Sequence, residues 1–203
     1  MRSSFFALMS TMALLVTLGG PAVAEDSDNF TFNMIRSTAA TAAGCLPNAK
    51  GRVTIHPGGP VENMHVEVSG LPANVDFDFF VIQVPDKPFG MAWYQGDIQT
   101  DSNGNGAGDF VGRFSIETFV VAPGVAAAPD SFPNGPFPDA TLNPATNPIQ
   151  MYHLGLWFNQ TSDAAAAGCG ATETPFNGTH TAGVQALSTR NFLPLFGPLR
   201  KVH

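Results

Sequence analysis

Residues 77–84, Phe-Asp-Phe-Phe-Val-Ile-Gln-Val, contain the clearest strand signal of the chain. The second half of this stretch is apolar at consecutive positions, which is typical of a central strand that packs against other structure on both faces. Residues 64–68, Met-His-Val-Glu-Val, alternate between apolar and polar side chains instead. This period of two indicates a strand with one buried face and one face toward solvent. Together the two stretches predict a β-rich fold.

The composition agrees with a turn-rich β-protein and excludes several other classes. Among the 203 residues there are 21 glycines and 17 prolines, and only 12% of the residues are charged. So many helix breakers exclude a coiled coil or a helical bundle, and the 17 phenylalanines exclude a charged disordered polymer. Nine basic residues against 16 acidic ones give a formal net charge of −7, which leaves no basic patch for a nucleic acid.

Short β-rich segments separated by turns continue along the rest of the chain. Roughly seven to nine strands predict an all-β fold, for which an immunoglobulin-like β-sandwich is the best match and a closed barrel the alternative. One helical turn is expected over residues 162–168, with Ser162 as its N-cap and Gly168 at its end. Residues 122–150 contain seven prolines and predict a long Pro-rich loop, either a functional surface loop or a poorly ordered excursion.

The first 24 residues have the pattern of a secretory signal peptide. Arg2 provides a basic start, residues 5–18 are almost wholly apolar, and Ala22-Val23-Ala24 form a small-x-small cleavage motif. The apolar run is shorter than the ~20 residues of a membrane-spanning helix, which favours cleavage over an uncleaved anchor. We therefore expect residues 1–24 to be removed and residues 25–203 to form one domain, secreted to the extracellular space or the periplasm.

The chain has two cysteines, Cys45 and Cys169, and both lie in the part that we expect to be exported. An even number of cysteines in an oxidising compartment favours a disulfide bond between them. The alternative is two unrelated buried thiols. The predicted disulfide would tie the start of the fold to its late part.

Three segments resemble secreted bacterial β-sandwich proteins to which no activity is assigned. They are residues 66–81 (Val-Glu-Val-Ser-Gly-Leu-Pro-Ala-Asn-Val-Asp-Phe-Asp-Phe-Phe-Val), 99–106 (Gln-Thr-Asp-Ser-Asn-Gly-Asn-Gly) and 152–159 (Tyr-His-Leu-Gly-Leu-Trp-Phe-Asn). The first is similar to a strand–turn–strand unit of that group, the second to its hairpin tips and the third to one of its strands. The resemblance implies an immunoglobulin-like fold and an address outside the cytoplasm, and it brings no active site with it.

The polar hairpin tip that begins at Asp101 has part of a calcium-loop pattern. An EF-hand loop places oxygen ligands at positions one, three, five and nine and a bidentate Glu at position twelve. Asp101, Asn103, Asn105 and Asp109 fall on the first four of these positions, whereas Gly112 stands where the Glu is required. The pattern predicts at most a weak calcium site, with a Kd of ~10⁻⁴ to 10⁻³ M. A plain Asn-Gly turn without metal explains the same residues and is the interpretation that we favour.

Histidines form a second candidate site, for copper or zinc. His65 and His153 each lie on the polar side of a predicted strand, opposite its apolar positions. If the two strands were neighbours, both rings could converge, with His180 or Glu67 as a third ligand of a kind that copper and zinc accept. The alternative is ordinary histidines that bond to the backbone, because no paired metal-binding motif is present.

Aromatic residues form a third candidate site. Trp93, Tyr94 and Trp157 could form a platform on the solvent face of a sheet for sugars or other flat ligands. The alternative, which is more common for such residues, is that they complete the core or cover a sheet edge.

The sequence lacks the hydrolytic signatures that short motifs can indicate. Neither a G-x-S-x-G elbow nor a P-loop occurs. The first hypothesis is therefore a secreted, non-catalytic β-sandwich protein with a binding or structural role toward an extracellular ligand or surface. The alternative is a metal-dependent extracellular enzyme that uses copper or zinc at His65, His153 and His180.

Overall fold

The computed structural model describes residues 29–120, 149–174 and 176–203. The predicted signal segment, residues 1–24, lies outside these ranges. So does the predicted loop 122–150 except for its last two residues, which form a short strand.

Within the described ranges the chain forms ten strands, two short α-helices and one 3₁₀ helix. In chain order they are β1 (Phe30–Arg36), α1 (Thr38–Ala43), β2 (Lys50–Pro57), β3 (Glu62–Ser69), β4 (Asp76–Ile82), β5 (Ala92–Gln99), β6 (Gly106–Gly112), β7 (Phe119–Val120), β8 (Ile149–Gln150), β9 (His153–Phe158), α2 (Thr161–Ala166), β10 (Gln185–Ser188) and the 3₁₀ helix (Pro198–Lys201). The expectation of an all-β protein with little helix is confirmed.

Eight of the strands belong to one antiparallel sheet. Its order is β5-β4-β9-β10-β1-β2-β3-β6, and β7 and β8 pair separately. The two strands at the ends of the sheet, β5 and β6, follow each other in the chain, and the residues beside their connecting turn, Thr100 and Gly106, form a β-bridge. This bridge is a contact through which the two ends of the sheet meet.

One face of the sheet, the inner face, carries the main hydrophobic core. Met64, Val66 and Val68 of β3 all lie in this core, as their alternation predicts. Strand β4 is covered on both faces, because Phe79 belongs to the main core and Phe80 to a second apolar cluster on the outer face. Cover on both faces explains why its sequence is apolar at consecutive positions.

The two α-helices place the cysteines for the disulfide. Each helix ends two or three residues before a cysteine, and Cys45 and Cys169 are bonded with an S–S distance of 2.04 Å and a Cα–Cα distance of 5.3 Å. The predicted disulfide is therefore present. The helical turn predicted over 162–168 is present as α2, but it begins at Thr161, so Ser162 is a residue of the first turn and not the N-cap.

The helices of the described residues are short. None of them is long and apolar enough to span a lipid bilayer.

Candidate functional site

The outer face of the sheet bears an aromatic cluster, which we call the outer cluster and define as Phe80, Phe89, Trp157 and Phe176. Trp157 lies at its centre, with ring centroids 5.3 Å from Phe80, 5.1 Å from Phe89 and 5.2 Å from Phe176. These spacings are those of favourable aromatic pairs. Trp157 extends from the outer face of β9, and its rings are fully buried by the three phenylalanines and their neighbours.

A cavity of about 360 Å³, the side cavity, opens beside the outer cluster. Its walls are mainly apolar and include Trp157 and Phe89, while helix α1 closes the opposite side. The residues that line it come from five separate parts of the chain, namely Thr38, Ala39, Ala42, Asp86, Lys87, Phe89, Trp157, Thr174, Val184 and Gln185.

Side-chain hydrogen bonds hold the walls of the side cavity together. Thr38 Oγ1 at the start of α1 donates to Asp86 Oδ1 over 2.6 Å. On the other wall, the buried Gln185 donates through Nε2 to the carbonyl oxygen of Pro85 over 3.3 Å. Helix α1 and strand β10 are therefore both connected to the turn after β4, so the cavity is formed before any ligand arrives.

A pair of carboxyl groups lies on the same outer face. Asp78 of β4 is opposite Asp97 of β5 and opposite Trp157 of β9. Burial and the neighbouring Asp97 carboxylate raise the pKa of Asp78 to about 7. The hydroxyl of Tyr94 donates to Asp97 Oδ1 over 2.8 Å. Because Asp78 is only 2% exposed, a substrate cannot reach its carboxyl group.

The three predicted metal-ligating histidines occupy separate places. His65 on β3 contacts Asp109 Oδ1 through Nδ1 over 2.6 Å, and strand β3 is four places from β9 in the sheet. His153 on β9 is fully buried, and His180 is exposed in the segment before β10. The structure therefore does not bring the three rings together. Among the described residues, no group of three His, Cys, Asp or Glu side chains could hold a metal ion.

His153 instead has bonds within the protein at both ring nitrogens. Its Nδ1 lies 2.9 Å from Thr189 Oγ1, and its Nε2 lies 3.2 Å and 3.1 Å from the carbonyl oxygens of Leu193 and Pro194. Because carbonyl oxygens only accept, Nε2 carries the proton. Burial lowers the pKa of His153, which favours this neutral form.

The predicted calcium ligands at the hairpin tip serve the turn. Asp101 Oδ1 accepts the backbone N–H groups of Asn103 over 2.8 Å and of Asn105 over 2.9 Å, and these bonds lower the pKa of Asp101. Asp109 lies further along β6, where its Oδ1 contacts His65. The geometry agrees with the interpretation of a plain hairpin turn.

The three residues of the predicted aromatic platform do not share one exposed surface. Trp93 pairs with Val81 of the inner face, is 62% exposed and lines a groove between β5 and β6. Tyr94 pairs with Phe80 on the outer face, where Trp157 is buried. Sequence reasoning identified Trp157 but missed Phe89 and Phe176, because both lie in connecting segments without a periodic pattern.

A larger groove of about 860 Å³ crosses the outer face of β1, β2, β3 and β6. Its charged residues, Lys50, Arg52, Glu67 and Asp101, are exposed. Because this groove has no aromatic wall and no buried polar anchor, the side cavity is the better candidate for a small-molecule site.

Comparison with known proteins adds no assignment. No protein-family model matches the chain, and no curated protein matches it.

Proposed function

We propose that this protein is an exported, non-catalytic β-domain that binds a small aromatic or apolar molecule in the side cavity. The observation that carries the proposal is a preformed, mainly apolar cavity that Phe89 lines next to the fully buried Trp157, outside the main core. Ligand sites are typically concave and mostly apolar, with volumes of roughly 300 to 1,000 Å³ and a few polar groups that orient the ligand. A volume of about 360 Å³ suits a molecule with one or two rings.

Polar groups at the rim would orient such a ligand. Lys87 and Thr174 line the cavity together with the aromatic walls. Because Thr38 and Gln185 already fix the walls through hydrogen bonds, little conformational entropy would be lost on binding.

A non-catalytic role is supported by the positions of the titratable groups. Asp78, the carboxyl group with the most raised pKa, is inaccessible to substrate. His153 uses its ring to bond the backbone. The metal-dependent alternative has no observation in its favour, since the histidines on which it depends lie apart.

The proposed location is the extracellular space or the periplasm. The disulfide between Cys45 and Cys169 supports it, because such bonds persist in oxidising compartments. Expression of the full chain in a secreting host should release a protein whose N-terminal residue is Glu25 and whose mass lacks residues 1–24. A protein that retains Met1 in the cell membrane would contradict the proposal.

For the finer architecture we retain the immunoglobulin-like β-sandwich as the proposal and the closed barrel as the alternative. The antiparallel pairing of many short strands supports a sandwich. The bridge between Thr100 and Gly106, which joins the two end strands, favours the barrel.

A matched pair of variants tests the side cavity. Ala42 lines the cavity at the exposed end of α1, whereas Ala43 is also exposed but is not among the lining residues. Saturation-transfer NMR or calorimetry with indole as the probe should detect binding to the wild type and to Ala43→Leu. Ala42→Leu should lose it, because the larger side chain fills the cavity. Equal binding by both variants, or no binding by the wild type at millimolar indole, would overturn the proposal.

A further inference from the structure

The segment after β10 exposes an unusual set of apolar side chains. Residues 193–196, which we call the apolar loop, form a turn closed by a hydrogen bond from Phe196 N to Leu193 O over 2.8 Å. Leu193 is 69% exposed, Leu195 73% and Phe196 50%. Contiguous exposed apolar groups of this kind typically mark an interaction surface.

The apolar loop is held rigidly on the body of the protein. His153 contacts the carbonyl oxygens of Leu193 and Pro194 from the buried side. At the end of the loop, Gly197 lies so close to the backbone of Tyr152 that a Cβ at this position would be 2.1 Å from the Tyr152 carbonyl oxygen. The exposed side chains are therefore presented by a braced turn.

Cationic side chains flank the apolar loop. The Arg200 guanidinium lies 4.9 Å from the centre of the Phe196 ring, and Lys201 Nζ lies 5.7 Å from the centre of the Phe192 ring. Long basic side chains that cover an aromatic ring in this way keep their charge in water beside an apolar surface.

The charge at this end of the chain is opposite to that of the whole protein. After Glu173 the sequence contains no Asp or Glu, but it contains the basic residues Arg190, Arg200 and Lys201. The chain as a whole has a formal net charge of −7. Ile116 lies against Phe196, Arg200 and Lys201, and the acidic residue next to it, Glu117, is ion-paired with Arg113. On the buried side, Asp86 acts electrostatically on His153, which contacts the loop. The cationic character is thus local to the apolar loop and its flanks.

We propose that the apolar loop, with Arg200 and Lys201, docks this protein on an anionic lipid surface. Apolar side chains next to cations are the combination that binds the boundary between anionic headgroups and acyl chains. A lipid surface also needs no matching shape, which suits a protruding turn better than a shaped protein partner would. This inference goes beyond the side cavity and does not depend on it.

Co-sedimentation of the purified mature protein with phosphatidylcholine vesicles, with and without phosphatidylglycerol, tests the proposal. The wild type should bind the anionic vesicles at low salt and dissociate at high salt. The double variant Leu195→Ser/Phe196→Ser should lower the partition coefficient about tenfold or more, because it removes two apolar contacts. The double variant Arg200→Gln/Lys201→Gln should lower it by about tenfold at low salt only.

Two control variants and one independent measurement complete the test. Val111→Ser removes another exposed apolar side chain and Arg52→Gln another exposed cation, both outside the loop, and both should leave vesicle binding unchanged. Size-exclusion chromatography of the wild type and Leu195→Ser/Phe196→Ser should give the same elution volume. The proposal is overturned if the wild type does not bind anionic vesicles, or if Val111→Ser and Arg52→Gln weaken binding as much as the loop variants do. It is also overturned if the wild type elutes as a dimer and Leu195→Ser/Phe196→Ser as a monomer.

Discussion

Replacement of Asp78 by Asn should stabilise the protein at alkaline pH and have a much smaller effect at acidic pH. The Asp78 side chain is nearly inaccessible, and its Oδ2 has no hydrogen-bond partner among the described residues. Burial, the Asp97 carboxylate and more weakly Asp76 raise its pKa from 3.8 to about 7. The remaining neighbours that face it are Tyr94, whose hydroxyl is bonded to Asp97, and the uncharged Trp157.

The magnitude follows from the difference in proton binding between the folded and unfolded states. Between pH 3.8 and about 7 the folded state retains a proton that the unfolded state has lost. Below pH 3.8 Asp78 is protonated in both states and costs no stability. As the pH rises from 3.8 toward about 7, the free energy of unfolding falls by about 1.4 kcal/mol per pH unit. The loss amounts to about 1.5 kcal/mol at pH 5 and about 4 kcal/mol at pH 8, both upper estimates. The amide of the Asp78→Asn variant cannot ionise, so the stability difference between variant and wild type should grow by about 2.5 kcal/mol from pH 5 to pH 8.

Urea unfolding with the disulfide intact, followed at pH 5 and pH 8, measures this difference. Asp76→Asn is the matched control, because Asp76 is exposed on the same face of β4 and its replacement should change stability by less than about 0.5 kcal/mol at either pH. A stability difference for Asp78→Asn that is the same at both pH values would refute the reasoning. It would mean that Asp78 is ionised in the folded protein over the whole range.

Three further predictions concern the disulfide, the buried histidine and the hairpin tip. Replacing both Cys45 and Cys169 by Ser should lower the free energy of unfolding by up to about 5 kcal/mol, and the melting temperature of this variant should no longer respond to reductant. His153→Phe keeps the ring volume but leaves the carbonyls of residues 193–194 without a donor, so urea unfolding should show a loss of about 2 kcal/mol. Since burial lowers the pKa of His153, the wild type should also lose stability from this group as the pH falls below 6.5, and the variant should not. Millimolar calcium should leave the melting temperature of the wild type unchanged, because Asp101 Oδ1 already accepts two backbone N–H groups. A rise in the melting temperature that is absent in Asp101→Asn would contradict this prediction and support the calcium site.

The elements of the fold could be predicted from the sequence because their patterns are local. The alternation at residues 64–68 and the apolar run at residues 77–84 report which faces of a strand are covered, and the structure has both as expected. Ser162 and Gly168 predict helix α2 to within two residues, because its N-cap is Gln160 and Gly168 follows its end with a positive φ. The disulfide needed only an even cysteine count and the expectation of export, since Cys45 had a single possible partner.

The candidate site could not be predicted because it depends on which strands become neighbours. The alternation along β9 predicts that Trp157 and His153 share one face of the strand. It does not predict that β4 lies beside β9 with Asp78 opposite Trp157. It also does not reveal that Phe89, in a connecting turn, packs against Trp157. The same limit led the histidine hypothesis to place His65 near His153, although their strands lie four places apart.

The sequence by itself determined the all-β class, the burial pattern along individual strands and the disulfide. These properties depend on side-chain chemistry and on spacing within a few residues. Only the tertiary structure decided the strand order, the side cavity between α1 and the outer cluster, and the braced exposure of the apolar loop. Each of these joins segments far apart in the chain, such as Thr38 with Asp86 or His153 with Pro194. Contacts over such distances follow from the packing of the whole chain, and no local pattern specifies them.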